Sequence, residues 1–135
     1  MLFTCVLISC KQESDVITFE VGGITYKTDV IKGSDVKSEE VSYSVHTIKE
    51  SAKKRYESMT TLLDFLDDYS RSYIPELDTY LILGTQTYDD EKTHMYHFFK
   101  KKSDRKAISI LVTCPYDENE KYKKQIYKVV ESSHF

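Results

Sequence analysis

Three segments in the first third of the chain alternate apolar with polar residues. They run from Ile17 to Val21, from Ile24 to Val30 and from Val41 to Ile48. An alternation with a period of two predicts β-strands that bury one face. Gly22 and Gly23 separate the first two segments, and a two-residue turn with positive φ angles favours glycine. The pattern predicts a hairpin, a polar loop over residues 32–40 and a third strand.

The hydrophobic period changes between Glu50 and Tyr73. Apolar side chains recur there at spacings of three, four or seven, at Ala52, Tyr56, Met59, Leu63, Leu66 and Tyr73. This spacing predicts one long amphipathic helix, which ends before Pro75. At about 1.5 Å per residue the helix would be roughly 36 Å long, enough to cross a sheet of several strands.

Three further alternating segments follow and predict an antiparallel meander. They run from Thr79 to Tyr88, from Thr93 to Phe99 and from Lys106 to Thr113. A second helix is predicted after Pro115, with Asp117 as its N-cap. Its apolar face comprises Tyr122, Ile126, Val129 and Val130. The expected fold class is α+β, an antiparallel sheet of about five to six strands packed against one long helix and a C-terminal helix.

The length of the chain limits the number of domains. Its 135 residues are enough for one hydrophobic core but not for two stable ones. We expect residues 16–135 to form a single α+β domain. The net charge is −3, and the 19 basic and 22 acidic residues are interspersed, so the chain has no overall positive field. Nucleic acid is therefore not an expected partner.

The N-terminal segment resembles the signal of a bacterial lipoprotein. The first nine residues, MLFTCVLIS, contain no charged side chain and are too few to cross a hydrocarbon layer as a helix. The run ending at Cys10 resembles a lipobox, although the positive residues that normally precede such a region are missing. We expect residues 1–9 to be a signal segment, Cys10 to carry the lipid and residues 10–15 to form the polar tether. The alternative is a β-strand over residues 2–8.

A lipid at Cys10 would hold the domain at a membrane surface in the bacterial cell envelope, on the periplasmic or extracellular side. Removal of Cys5 with the signal segment would then leave Cys114 without an intramolecular disulfide partner. Cys114 lies at the end of an apolar run, so we expect it to be a buried thiol rather than a nucleophile.

The residue types that usually perform catalysis do not converge in this sequence. His94 and His97 are three residues apart, which places them on opposite faces of a strand, so they are not expected to bind one metal ion. Ser42, Ser44 and Ser109 lie in strand patterns without the Gly-x-Ser-x-Gly turn of hydrolases. We expect no enzyme activity, catalytic residue, metal or cofactor. A hydrolase is the catalytic alternative.

The order of elements from Val41 to Phe135 resembles a known family. Strands, a helix and a meander lead to the segment Ile110 to Pro115 (ILVTCP), a charged helix from Glu118 to Glu131 and a terminal Ser-His-Phe. This pattern is similar to the PsbP-like fold, in particular to bacterial DcrB-like lipoproteins. The resemblance implies an antiparallel sheet flanked by helices. It also implies adaptors, assembly factors, secretion chaperones or toxin-neutralising proteins.

The abundance of tyrosine favours a binding function. The chain has 11 tyrosines, a residue that offers a large contact area with a polar tip and is enriched at interfaces, although it also favours strands. We expect the interface on one face of the meander. The candidates are Tyr88, His94, Tyr96 and Phe98. The phase of this strand stays open, because Met95 and Phe99 on the opposite face are also apolar.

These observations lead to the hypothesis of a non-catalytic envelope lipoprotein that binds another protein. The partner would be a delivered toxin, which the chain neutralises as an immunity protein, or a component that it helps to assemble or secrete. The alternative from another class is a carrier of a lipid or metabolite. A carrier would need an apolar pocket between the helix 50–73 and the sheet.

Overall fold

A computed structural model of the chain describes residues 15–28 and 34–135. The fold is α+β, as the sequence predicts. It contains a two-stranded sheet and a six-stranded sheet in the order β3-β4-β8-β7-β6-β5, with antiparallel neighbours throughout. The strands are β1 (Thr18–Val21), β2 (Ile24–Lys27), β3 (Ser34–Ser38), β4 (Val41–Ile48), β5 (Asp68–Ile74), β6 (Thr79–Tyr88), β7 (Glu91–Ser103) and β8 (Lys106–Pro115). The helices are α1 (Ala52–Ser58) and α2 (Asn119–Ser132), with 3₁₀-helices at Leu62–Phe65, Pro75–Leu77 and Tyr116–Glu118.

The predicted N-terminal hairpin is confirmed. β1 and β2 pair from Thr18 with Lys27 to Val21 with Ile24. Gly22 and Gly23 form the turn with φ angles of +57° and +84°, which a residue with a Cβ adopts only with strain. The two glycines are therefore turn residues, as the alternation around them indicates.

The predicted loop over residues 32–40 is wrong for residues 34–38, which form the edge strand β3, while residues 39–40 form a turn and residues 32–33 lie outside the described residues. Val36, the one apolar residue of β3, pairs with Tyr43 of β4. The free edge of β4 supplies main-chain partners, so a polar segment can pair there without a hydrophobic face of its own. Glu39 then turns the chain with a positive φ of 56°.

The predicted helix over residues 50–73 is also wrong. α1 ends at Ser58, a 3₁₀-helix follows, and residues 68–74 form the strand β5. Tyr69 and Tyr73 are four residues apart, which fits one face of a helix. In the segment Tyr69-Ser-Arg-Ser-Tyr73, however, serine occupies every second position, which fits a strand with both tyrosines on one face. The strand forms because all seven residues of β5 pair with the edge of β6, which would otherwise be unpaired. Pro75 consequently begins the turn of this hairpin rather than ending a helix.

One face of the large sheet, which we call the closed face, is covered by α2 and the β1–β2 hairpin. Val45, Ile110, Phe98 and Leu81 form one row of buried side chains across four adjacent strands. The predicted apolar face of the C-terminal helix is confirmed, since Tyr122, Ile126, Val129 and Val130 are buried. The helix begins at Asn119, and Asp117 lies in the preceding 3₁₀-helix instead of capping it.

The opposite face, which we call the half-open face, is covered at one end only. There α1 and the Leu62–Phe65 turn pack over Ile48, Ile82 and Phe99. At the other end of this face Ser42 and His46 of β4 are exposed. The centre of β7 is therefore covered on both sides. Tyr96 and Phe98 belong to the core of the closed face, and Phe99 belongs to the core of the half-open face.

Two lysines, Lys100 and Lys106, hold the ends of the described chain. Asp15 pairs with Lys106 at 2.7 Å, and the Lys106 ammonium lies 4.4 Å from the centre of the Phe135 ring. Lys100 on β7 donates hydrogen bonds of 2.7 Å to the carbonyls of Val130 and Ser133 at the C-terminal end of α2.

The predicted signal segment 1–9 and Cys10 lie outside the described residues. Within residues 15–28 and 34–135, no helix is long and apolar enough to cross a membrane.

Candidate protein-binding surface

Large exposed aromatic side chains follow the β5 end of the sheet. Phe65 is 68% exposed, while Tyr69 and Tyr73 on β5 are 49% and 45% exposed. Exposed aromatic groups of this size are more typical of interfaces than of ordinary protein surface. We call Phe65 together with residues 68–74 the β5 edge.

The register places the two tyrosines of the β5 edge on the half-open face. Tyr69 lies beside Gly84 and Tyr73 beside Tyr80, with 4.8 Å between the ring centres of Tyr73 and Tyr80. The Tyr73 hydroxyl donates a 2.6 Å hydrogen bond to the Asp78 carboxylate, which raises the pKa of Tyr73. Packing and this bond hold the Tyr73 ring in place while leaving almost half of it accessible.

Gly84 allows the chain to approach β6 closely at the start of the β5 edge. A Cβ atom at this position would lie 2.7 Å from the Leu66 side chain and 2.8 Å from the Asp68 carbonyl oxygen. Any larger residue would push this segment away from β6. Asp67 and Asp68 accept further hydrogen bonds, of 2.6 Å from the Thr87 hydroxyl and 2.9 Å from the Thr85 hydroxyl. Tyr69 and Tyr73 are thus presented from a well-anchored strand.

The β5 edge belongs to an acidic part of the chain. Residues 62–91, which run from the 3₁₀-helix before β5 to the first residue of β7, contain eight acidic residues and one basic residue, a net charge of −7 against −3 for the whole chain. The acidic residues are Asp64, Asp67, Asp68, Glu76, Asp78, Asp89, Asp90 and Glu91. The rest of the sequence therefore has a net charge of +4. A segregation of this kind favours a basic partner at the acidic side.

The structure does not bring the four predicted interface residues together. Tyr96 and Phe98 are 1% and 0% exposed on the closed face, where the ring of Tyr127 from α2 packs edge-on against both. The interface prediction for these two is wrong, since they are core residues. Tyr88 is 78% exposed, but its register places it in the phase of Ile82, on the half-open face. His94 lies in the phase of Tyr96, on the closed face.

His94 belongs to a small aromatic cluster beyond the N-terminal end of α2. Its ring stacks on Tyr116 at 4.7 Å, and the Lys92 ammonium lies 4.3 Å from the centre of the same tyrosine ring. Burial lowers the pKa of His94, and its Nδ1 atom is buried without a hydrogen-bond partner in the described structure. His94 is half-buried while Lys92 and Tyr116 are exposed, and the Asp68 carboxylate at the start of the β5 edge partly opposes the lowering of the His94 pKa.

His97 is largely buried and Cys114 is fully buried, whereas His46 and His134 are exposed. His97 Nε2 lies 2.9 Å from the Ser109 hydroxyl, and burial together with Arg55 lowers the pKa of His97 to about 4. Among the described residues no carboxylate bonds to this pair, and no three His, Cys, Asp or Glu side chains are grouped so as to bind a metal ion. Burial raises the pKa of the Cys114 thiol to about 11, which keeps it protonated at neutral pH.

A polar groove lies between α2 and the β1–β2 turn. It has a volume of about 840 Å³ and is lined by Gly22, Gly23 and polar or charged side chains, among them Lys121, Lys124 and Lys128. The carrier hypothesis instead required an apolar pocket beneath a helix over residues 50–73, which does not form. The lining of the observed groove does not resemble a site for an apolar ligand.

Comparison with known proteins gives matches to solved structures alone. No family model matches the chain, and no curated protein matches it. LpqN, described as involved in cell envelope biogenesis of Mycobacterium tuberculosis, superposes with a TM-score of 0.57 at 7% identity, over 91% of this chain and 85% of LpqN. Cyanobacterial PsbP (CyanoP) from Synechocystis sp. superposes with a TM-score of 0.50 at 14% identity, over 92% and 76%. The chain has a PsbP-like fold. At these identities the fold is what the matches establish, and the DcrB-like subgroup stays a prediction.

Sequence reasoning missed the β5 edge as a surface. The helix predicted over residues 50–73 includes Tyr69 and Tyr73, and Phe65 is not among its apolar positions. The signal that could have revealed them is the segment Tyr69-Ser-Arg-Ser-Tyr73, whose alternation indicates a strand with both tyrosines on one face.

Proposed function

We propose that this chain is a non-catalytic domain of the cell envelope that binds another protein through its β5 edge. The observation that carries the proposal is a set of exposed aromatic groups at the end of the sheet, with Phe65 in the 3₁₀-helix before β5 and Tyr69 and Tyr73 on the anchored strand itself. Aromatic side chains supply much of the free energy of binding at protein interfaces. The net charge of −7 over residues 62–91 makes a basic partner the favoured one.

The envelope location is supported by two separate considerations. The run of apolar residues ending at Cys10 resembles a lipobox, and LpqN, which has a similar fold, is described as involved in cell envelope biogenesis. In the finer form of the proposal the chain is a DcrB-like lipoprotein anchored through a lipid on Cys10. Its partner is a delivered toxin that it neutralises, or a component that it helps to assemble or secrete.

Affinity capture with matched variants tests the binding function. The tagged full chain is incubated with envelope and secreted fractions of its host at physiological salt, beside the double variant Phe65→Ser/Tyr69→Ser. As a control, Ile24→Ser/Tyr116→Ser removes two exposed apolar groups elsewhere on the surface. We expect one stoichiometric protein that the control retains and the β5 edge variant loses. The identity of that protein separates a toxin from an assembly or secretion component.

Two outcomes would contradict this proposal. Equal retention by the β5 edge variant would move the interface to another surface. A lipid or metabolite that co-elutes in the absence of any protein would favour the carrier alternative. The anchor is tested separately by intact-mass measurement of the membrane-bound protein, in which Cys10→Ala should abolish the mass of the lipid.

A further inference from the structure

We propose that the partner adds a basic, extended segment to the sheet as a seventh strand alongside β5. This inference rests on the proposed binding function and specifies its geometry. β5 is the last strand of the six-stranded sheet, and no further strand of the described chain pairs with its outer side. Alternate residues of such an edge direct their N–H and C=O groups outward, where they can pair with an added strand.

The β5 edge is long and regular enough to accept a strand. The seven residues of the strand β5 span about 23 Å at roughly 3.3 Å per residue. They contain no proline, their pairing with β6 shows no bulge, and six of the seven are exposed. Proteins usually protect an edge of this kind with bulges, prolines or charged side chains.

The one basic side chain of β5 is held away from the outer edge. Arg71 lies with its guanidinium carbon 5.2 Å from the centre of the Tyr56 ring and donates a 3.4 Å hydrogen bond to the Met59 carbonyl. Both contacts direct Arg71 towards the covered end of the half-open face. The main chain of the β5 edge is thereby left accessible.

The opposite edge of the sheet provides an internal comparison. β3 has five residues, of which Asp35 and Lys37 are exposed and charged, and no large aromatic side chain. An extended segment on β3 would therefore gain fewer main-chain hydrogen bonds and no aromatic contacts. On β5, by contrast, Tyr69 and Tyr73 would flank alternate side chains of an added strand.

Charge decides which segment fits. β5 itself carries one acidic residue, Asp68, and one basic residue, Arg71, so the net charge of −7 comes from the segments that precede and follow it in the chain. These flanking carboxylates favour lysine or arginine in the added strand. A second copy of this chain is disfavoured, because pairing β5 with β5 would bring two such acidic segments together. The added strand therefore comes from a basic partner.

Amide hydrogen exchange on the full ¹⁵N-labelled chain tests the inference directly. The probes are a seven-residue peptide that alternates lysine with valine and its counterpart that alternates glutamate with valine. We expect the lysine peptide to slow the exchange of alternate β5 amides at least tenfold, while the amides of β3 are unchanged. The glutamate peptide should leave both edges unchanged.

A pair of variants at one exposed position tests the charge requirement. Ser72→Lys should weaken binding of the lysine peptide about tenfold, whereas Ser72→Glu should not weaken it. Asp35→Asn on β3 raises the charge of the other edge by one unit, as Ser72→Lys does on β5, and should have no effect. Equal loss for both Ser72 variants would contradict the charge argument.

Three further results would contradict or limit the inference of strand addition. Absence of protection on β5, or protection on β3 instead, would overturn strand addition. Concentration-dependent protection without peptide, together with a dimer in sedimentation, would identify a second copy and overturn the basic partner. If the peptides fail but captured protein still depends on Phe65 and Tyr69, the proposed function stands and this inference alone is wrong.

Discussion

The two faces of the six-stranded sheet differ in how completely they are covered. On the closed face, a 14-residue helix and a hairpin bury a continuous row of apolar side chains across four strands. On the half-open face, a seven-residue helix and a short turn cover one end, and the row that begins at buried Phe99 passes through Ser109 to exposed His46. A helix as long as the predicted one over residues 50–73 would have lain partly on polar residues.

This difference explains why the amphipathic pattern of α2 correctly predicted a helix and the pattern over residues 50–73 did not. α2 finds an apolar surface as long as its own apolar stripe, and packing of that stripe supplies most of the stability of such a helix. The segment 50–73 finds such a surface only near α1. Its C-terminal part is more stable as the strand β5, which satisfies its main-chain groups against β6.

The largest expected effect is on the closed face. Phe98→Ala should lower the free energy of unfolding by about 4 kcal/mol, because it leaves a cavity at a fully buried site between the sheet and α2. Urea unfolding followed by circular dichroism measures this change. The matched control Tyr88→Ala, on the same meander but exposed, should change it by less than about 0.5 kcal/mol. Similar losses for both would mean that the closed face is not the main core.

The next effect concerns the half-open face and depends on pH. The pKa of His97 is about 4 in the folded chain and near 6.5 when exposed, so the folded state favours the neutral ring. This contribution is complete above pH 6.5 and is lost as the pH falls from 6.5 to about 4, a total of about 3 kcal/mol.

Unfolding in urea at pH 7, 5.5 and 4.5 measures this loss. His97→Gln keeps a polar group that can bond to Ser109 but does not titrate, so the variant should lose much less stability over the same range. An identical pH dependence in both proteins would show that His97 is not the titrating group.

A smaller loss is expected where the cover of the half-open face meets solvent. Leu63→Ala should cost about 2 kcal/mol, at the low end for a buried leucine, because a 7% exposed site can relax or admit water. Phe65→Ala, in the same 3₁₀-helix but exposed, is the control and should cost less than about 0.5 kcal/mol. Thermal unfolding of the two variants compares them. A greater loss for Phe65→Ala would place that ring in the core instead of on the β5 edge.

The smallest effect tests how the closed face holds the end of its helix. Lys100→Met should cost about 1 kcal/mol, because the carbonyls of Val130 and Ser133 lose a charged donor that water replaces only in part. Lys101→Met, at the exposed neighbouring position, is the matched control. Hydrogen exchange in the last turn of α2 should accelerate in the first variant alone. Acceleration in both would argue against the cap.

Much of the fold follows from local patterns. Gly22-Gly23 between alternating segments predicted the first hairpin, and three alternating segments predicted β6, β7 and β8. The edge strands β3 and β5 were missed, because an edge strand needs a partner strand more than a hydrophobic face of its own. The candidate surface was missed for the same reason, since Phe65, Tyr69 and Tyr73 become a surface only when β5 forms the edge.

The amino-acid sequence by itself determined the elements whose apolar pattern fits only one kind of secondary structure. These are the first hairpin, the central strands and the apolar face of α2. It also determined the acidic character of residues 62–91. The tertiary structure decided the conformation of residues 59–74, the burial of Tyr96 and Phe98 and the exposure of the β5 edge. In each case the deciding factor is a non-local partner, namely the free edge of β6 or the cover of α2, which no local pattern contains.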